Sequence, residues 1–174
     1  MYFHKNKQRG FSLVEILLVL GIIALLAIAA FIIFPQVQAA NRANTEQANI
    51  TTMAAGIKNL YGATRNYGGT TPISPTILIQ AKIAPSSMYG NATGATALTS
   101  SWSQPVLVAP VGTTQFSITY NAVPTEVCTR LVPGLLANFQ TVTVGGATVT
   151  ANNPGGVVQE CARSAAPNVI FTTN

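Results

Sequence analysis

The chain has 174 residues, enough for one domain and an additional long helix. Only 7% of its residues are charged and Asp is absent, whereas cytosolic domains average about 25% charged residues. The composition therefore argues against an ordinary cytosolic domain. The formal charge is +5, but Lys5, Lys7 and Arg9 lie in the first ten residues. No basic stripe with interleaved aromatic residues follows, so nucleic-acid binding is not expected.

The N-terminal segment combines a short basic leader with a long apolar run. Residues 16–34 are uncharged and almost wholly apolar, and as a helix they would span about 29 Å, close to the roughly 30 Å core of a bilayer. The basic leader predicts a cytoplasmic N-terminus and export of the rest. A secretory signal peptide is one alternative, although its apolar region is normally about 7–15 residues. An unprocessed single-pass anchor is another, but it leaves unexplained Glu15, a costly carboxylate at the head of the run.

Glu15 ends the motif GFSLVE at residues 10–15. This motif, directly before a spanning run, resembles the processing site and N-terminal helix of type IV pilins and pseudopilins. The resemblance implies that a prepilin peptidase cuts between Gly10 and Phe11, and that Phe11 is then N-methylated. It also implies that Glu15 pairs with the N-terminal amine of a neighbouring subunit during assembly. Such a pair is physically sound, because two opposite charges buried in a helix bundle neutralise each other.

An amphipathic continuation of this helix is expected over residues 36–63. Proline kinks or bends a helix, so Pro35 is expected to kink the helix without ending it. Its position is similar to that of a proline that pilin helices commonly carry near the end of their apolar part. Apolar residues then recur at helical spacing: Ile50, Met53, Ala54, Ile57, Leu60 and Tyr61. This spacing predicts one face packed on a sheet formed by the C-terminal half.

The remaining residues, 64–174, are expected to form an α+β head. Trp102 is expected to anchor its small core. Clean alternation over residues 115–120 predicts a strand with Phe116, Ile118 and Tyr120 on one face. Further strands are expected at 106–108 and 168–172, a hairpin at 141–150 around Gly145 and Gly146, and short helices at 76–84 and 124–132.

Cys128 and Cys161 are 33 positions apart, the wrong spacing for a zinc knuckle or a redox pair. Two unpaired buried thiols remain one interpretation, and a disulfide becomes the default if the chain is exported. The segment 116–131 is similar to the C-terminal domain of type IVb pilins, in which a strand leads into a short helix with the first of two cysteines. This resemblance implies a disulfide that closes a D-region at about 128–161.

No catalytic site is evident in the sequence. The only histidine, His4, lies in the leader, and four Glu without Asp give no obvious carboxylate dyad or calcium loop. The glycine pairs, including Gly155 and Gly156, fit no phosphate-binding pattern and are better explained by turns. We therefore expect no enzymatic activity, no cofactor and no bound metal.

The resulting expectation is a long N-terminal helix packed on an antiparallel sheet closed by a disulfide. Its parts would be a cleaved leader at 1–10, a filament-core helix at 11–35, an amphipathic half at 36–63 and a head at 64–174. The resemblance implies a major type IV pilus subunit that starts in the inner membrane and polymerises through its N-terminal helix into an extracellular fibre for adhesion, aggregation or mating. Its partners would be itself, the prepilin peptidase, the inner-membrane assembly machinery, and a host or neighbouring cell. A minor pilin or pseudopilin of a secretion or DNA-uptake machine, and a membrane-anchored binding module that never polymerises, remain alternatives.

Overall fold

The computed structural model describes residues 12–89 and 95–174. The predicted processing site at Gly10 and Phe11 lies outside the described residues. The chain divides into two compact units, Met1–Val37 and Gln38–Asn174.

A single long helix, α1, runs from Leu13 to Leu60. It begins after Ser12, whose carbonyl accepts hydrogen bonds from the backbone N–H groups of Glu15 (3.0 Å) and Ile16 (3.2 Å). It continues through Pro35, as expected, and the kink at that residue stays a prediction. The helix ends at Leu60, three residues before the end that the sequence predicts near residue 63. Gly62 follows, where a Cβ atom would lie 2.8 Å from the carbonyl oxygen of Lys58, so only glycine fits this exit from the helix.

Within the second unit, α1 buries the face that the apolar spacing predicted. Ile50, Met53 and Ile57 are fully buried, and Ala54 is nearly so. The prediction is wrong for Leu60, which is 48% exposed, because the helix ends there and its last turn passes the edge of the core. Two polar residues, Glu46 and Asn49, lie on the same buried face.

Within residues 12–89 and 95–174, six antiparallel strands form one sheet: β1 Leu98–Thr99, β2 Pro105–Val111, β3 Gln115–Tyr120, β4 Thr141–Val144, β5 Ala147–Val149 and β6 Val169–Thr173. Their order across the sheet is β1-β2-β3-β6-β4-β5. The predicted hairpin is confirmed as β4 and β5, with Gly145 (φ 58°) and Gly146 (φ 94°) in the left-handed conformation of a tight turn. The predicted strands at 106–108, 115–120 and 168–172 are confirmed as β2, β3 and β6, although β2 extends across both flanking prolines.

The sheet turns one face to the core. Phe116, Ile118 and Tyr120 are fully buried, whereas the intervening Ser117 and Thr119 are half-buried on the other face, which confirms the predicted alternation. Trp102 was expected to anchor this core, but it is only half-buried and packs against the edge of the core. Its ring centroid lies 5.6 Å from that of Tyr120, and its Nε1 donates a hydrogen bond to the carbonyl of Asn121 at 3.0 Å.

Among the residues that the structure describes, the head has three further α-helices, α2 Pro75–Gln80, α3 Thr125–Leu135 and α4 Pro154–Arg163, and one 3₁₀-helix at Ser86–Met88. The first two confirm the predicted short helices to within a few residues. The third corrects the assignment of Gly155 and Gly156 to a turn, because both lie in the first turn of α4. The side chain of Asn153 accepts a hydrogen bond from the N–H of Gly156 at 3.0 Å, and Pro154 occupies the first helical turn. Capping and proline placement thus start a helix despite two glycines.

Candidate assembly site

The apolar N-terminal part of α1 is uncovered in the first unit. Every large apolar side chain from Leu13 to Val37 is exposed, from 48% at Val19 to 82% at Phe31. The most apolar 18-residue window of α1 has a mean hydropathy of 3.3, so the helix is long and apolar enough to cross a membrane. Exposed apolar patches of this kind mark contacts with lipid or with other proteins. This surface therefore requires a partner outside the folded chain.

Glu15 lies on this apolar surface, in the first turn of α1. One helical turn later the same face carries Val19, four positions on. Among the residues that the structure describes, no cation lies within ion-pair distance of its carboxylate. If the surrounding apolar surface were covered, an unpaired carboxylate at this position would be energetically unfavourable.

In the second unit, the carboxylate of Glu46 links α1 to the sheet. Glu46 is 1% exposed. Its Oε2 accepts hydrogen bonds from the hydroxyl of Tyr120 at 2.9 Å and from the Nδ2 of Asn49 at 3.2 Å, and its Oε1 accepts one from the backbone N–H of Ser101 at 2.6 Å. Three donors hydrogen-bond the carboxylate in place of water, and they join α1 to the C-terminal end of β3 and to the loop after β1.

Burial, and then the neighbouring carboxylate of Glu46, hold the pKa of Tyr120 well above its ordinary value of 10.0. The phenol therefore remains protonated and acts as the donor in this hydrogen bond. The alternation of residues 115–120 predicts that Tyr120 shares a strand face with Phe116 and Ile118, but it gives no acceptor for the hydroxyl. The signal was available, because Glu46 precedes Ile50 by four residues and so falls on the predicted buried face.

A second polar contact joins α1 to α3. The Nε2 of Gln47 donates to the carbonyls of Arg130 (3.1 Å) and Leu131 (3.3 Å). Gly134 makes this approach possible, because a Cβ atom there would overlap the Gln47 amide. Glu46 thus bonds α1 to the sheet, and the next residue, Gln47, bonds α1 to α3.

The two cysteines join α3 to α4. Cys128 and Cys161 form a disulfide with their Cα atoms 5.8 Å apart, and both are fully buried. The segment between them contains the β4–β5 hairpin and most of α4. The disulfide and the segment that it closes match those implied by the resemblance to type IVb pilins. The alternative of two unpaired thiols is excluded.

Comparison with known proteins gives two family matches. The model described as PilS N terminal matches residues 40–174, and the model of the prokaryotic N-terminal methylation motif matches residues 5–31. Curated protein sequences give no match. The second family match places the motif of residues 10–15 inside a methylation signal.

Solved structures of pilins are similar to this chain. The crystal structure of the type IVb pilin from Salmonella typhi has a TM-score of 0.55 and 25% identity, over 75% of this chain and 99% of that chain. An NMR structure of the type IVb pilin PilS from Salmonella typhi has a TM-score of 0.48 and 27% identity, over 76% and 96%. The type IV pilin TcpA from Vibrio cholerae El Tor biotype has a TM-score of 0.49 and 14% identity, over 79% and 99%.

The fold, the disulfide and the methylation motif together define a type IV pilin, most like the type IVb group. Because the first family model covers most of the chain, the protein belongs to the family described as PilS N terminal.

Proposed function

We propose that this protein is the major structural subunit of a bacterial type IV pilus. The observation that carries the proposal is the uncovered apolar helix from Leu13 to Val37, with Glu15 as its one charged residue. Bundling of these helices from many copies would bury this surface, since the transfer of apolar area from contact with water is the main driving force of association. Membership in a pilin family supports self-assembly of this kind.

Processing is the first step in this proposal. Prepilin peptidase removes residues 1–10 by cutting between Gly10 and Phe11, and Phe11 is N-methylated. Residues 11–35 then form the filament core, residues 36–63 support the head, and residues 64–174 form the surface of the fibre. The protein resides in the inner membrane until the assembly machinery extracts it into an extracellular pilus, where it meets other cells.

In the assembled bundle, Glu15 pairs with the amine of Phe11 from a neighbouring copy. The carboxylate has no cationic partner among the described residues of its own chain, and burial in a helix bundle without one would be strongly unfavourable. The pair therefore selects the register at which one helix enters the bundle beside another. A membrane-anchored chain that does not polymerise would not bring the Glu15 carboxylate to the Phe11 amine of a second copy.

The decisive experiment is N-terminal sequencing and mass measurement of material sheared from the cell surface. A chain that begins at N-methylated Phe11 and is the most abundant protein of the filament supports the proposal. Presence in trace amounts identifies a minor pilin instead. A full-length chain that begins at Met1 and stays in the membrane refutes both.

Glu15 variants test the assembly step. Glu15→Gln keeps the size of the side chain and removes its charge, so we expect a processed protein that accumulates in the membrane and is absent from the sheared fraction. Glu15→Asp keeps the charge and is the matched control, with assembly at least partly retained. Normal filaments from Glu15→Gln would refute the assigned role.

A further inference from the structure

The second unit, Gln38–Asn174, is called the head from this point on because it includes the part of α1 that packs on the sheet, and it carries few exposed acidic side chains. Of the three Glu residues in residues 38–174, Glu46 is buried in its hydrogen-bond network and Glu160 lies in an ion pair with Arg163 at 3.0 Å. Only Glu126 is exposed, and no cation lies within ion-pair distance of it in the described part of the chain. The surface of the head therefore presents one unpaired Glu side chain against several cations.

Two of these cations line one cleft of the head. The cleft has a volume of about 440 Å³ and is bordered by Lys58, Arg65, Tyr67, Gln115 and Asn174. Lys58 is in the last turn of α1, and Arg65 is in the loop that follows this helix. Neither cation lies within ion-pair distance of a carboxylate among the described residues. The cleft is thus suited to bind an anionic group.

The cationic cleft and Glu126 lie at opposite ends of the central strand pair. Gln115 begins β3 and Asn174 follows the end of β6, so the cleft is at this end of the sheet. Tyr120 and Val169 pair at the other end. There Thr125, the neighbour of Glu126, donates to the carbonyl of Ala165 at 3.3 Å. The length of β3 alone separates the two sites by roughly 17 Å, which is beyond the reach of the side chains.

We propose that the cationic cleft of one subunit binds Glu126 of a second copy of the same chain. The inference rests on the proposed function, because it supplies a contact between heads in the polymer. Charge complementarity selects the partner, since Glu126 is the one exposed Glu side chain that the head does not pair itself. Because the two halves of the contact lie at opposite ends of one head, the contact is heterologous, and repetition of it produces an open chain of subunits.

Each half of this contact also has a simple local role. Lys58 is favourable at the C-terminal end of α1, and Glu126 is favourable in the first turn of α3. Arg65 has no such role, and its backbone adopts φ 46°, in the region that favours glycine. Substitution of Arg65 by glycine therefore removes the cation and also removes the strain of a positive φ in a residue with a side chain.

Lys82 offers a matched control, because it is an exposed cation with φ 55° that does not line the cleft.

The test uses the full chain as the only pilin in the cell and compares the sheared fraction with the membrane pool. We expect Glu126→Lys to lower the sheared fraction about tenfold or more, since it places like charges together. Arg65→Gly should lower this fraction severalfold, whereas Lys82→Gly should stay within about twofold of the wild type. Thermal unfolding in detergent should show no loss of stability in either glycine variant.

A second test reverses the charges on both sides of the contact and measures whether assembly recovers. Glu126→Lys combined with Lys58→Glu and Arg65→Glu reverses both sides of the contact, and we expect assembly to return to within about threefold of the wild type. Co-expression of Glu126→Cys with Lys58→Cys should give a mixed dimer when sheared filaments are treated with a bismaleimide reagent, which is longer than a disulfide and so can bridge the Cα separation of a Lys–Glu ion pair.

Normal assembly of Glu126→Lys, equal behaviour of the two glycine variants, or absence of the mixed dimer would overturn the pairing and leave the pilus function intact. Failure of the wild-type chain to leave the membrane would instead refute the proposed function, and the pairing with it.

Discussion

The hydrogen bond from Tyr120 to Glu46 should contribute measurably to the stability of the head. Tyr120→Phe removes one of three donors to a carboxylate that is 1% exposed. A hydrogen bond to a buried charged group is worth about 1.5–3 kcal/mol. For a head of this size we expect the melting temperature of the full chain in detergent to fall by about 5–10 °C at neutral pH.

Tyr67→Phe is the matched control. Tyr67 is also buried, at 4% exposure, and packs against Phe116 with ring centroids 4.9 Å apart. No hydrogen bond from its hydroxyl is present among the described residues, so loss of this hydroxyl should change the melting temperature by less than about 2 °C. Equal melting temperatures for the two variants would refute the role assigned to the Tyr120–Glu46 contact.

The same pair has a signature at high pH. The pKa of Tyr120 is raised in the folded state above its ordinary value of 10.0, so the folded head retains a proton that the unfolded chain loses. The corresponding stability is fully present below pH 10 and is lost as the pH rises toward the folded-state pKa. In this window the unfolding free energy of the wild type should fall by about 1.4 kcal/mol per pH unit more than that of Tyr120→Phe. Parallel profiles for the two proteins would contradict this reasoning.

Two further substitutions test how the head is held together. Replacement of Cys128 and Cys161 by serine should destabilise the head by roughly 3–4 kcal/mol, because the unfolded chain regains the freedom of a 33-residue loop; calorimetry checks this, and a loss below about 1 kcal/mol would contradict it. Gly134→Ala should be less stable than Gly155→Ala by about 1 kcal/mol, because the added methyl group displaces the flexible Gln47 amide from the carbonyls of α3, whereas both variants gain the helix preference of alanine. Gly155→Ala is its control, since a Cβ atom there meets only the Oδ1 of Asn153 at 3.7 Å, and equal melting temperatures for the two alanine variants would refute the role of Gly134.

Local patterns predicted the elements that short-range chemistry defines. The alternating residues of β3 predict the strand and its buried face, because the side-chain period of a strand is a local property. The Gly145–Gly146 pair predicts the β4–β5 hairpin, because the turn geometry is also local. By contrast, β1 contains only Leu98 and Thr99 and exists through its pairing with β2. No local signal marks so short a strand.

The missed helix α4 has a different explanation. Two glycines in its first turn oppose helix formation, and the head overrides this preference through the Asn153 cap and the bond from Cys161 to α3. The dipeptide formed by Asn153 and Pro154 was the available signal. The burial of Glu46 could also be predicted, because it lies four residues before Ile50 on the same helix face. Its hydrogen-bond donors could not, because Tyr120, Asn49 and Ser101 are brought together only by the fold.

The position of the disulfide also governs what a protease can do to the protein. Arg130 is exposed and lies between Cys128 and Cys161. A trypsin-like enzyme that cuts there leaves both fragments covalently joined. No Lys or Arg occurs between Lys82 and Arg130, so β2 and β3 contain no tryptic site at all. A head nicked at Arg130 would therefore keep its two fragments linked through the disulfide and would separate only after reduction.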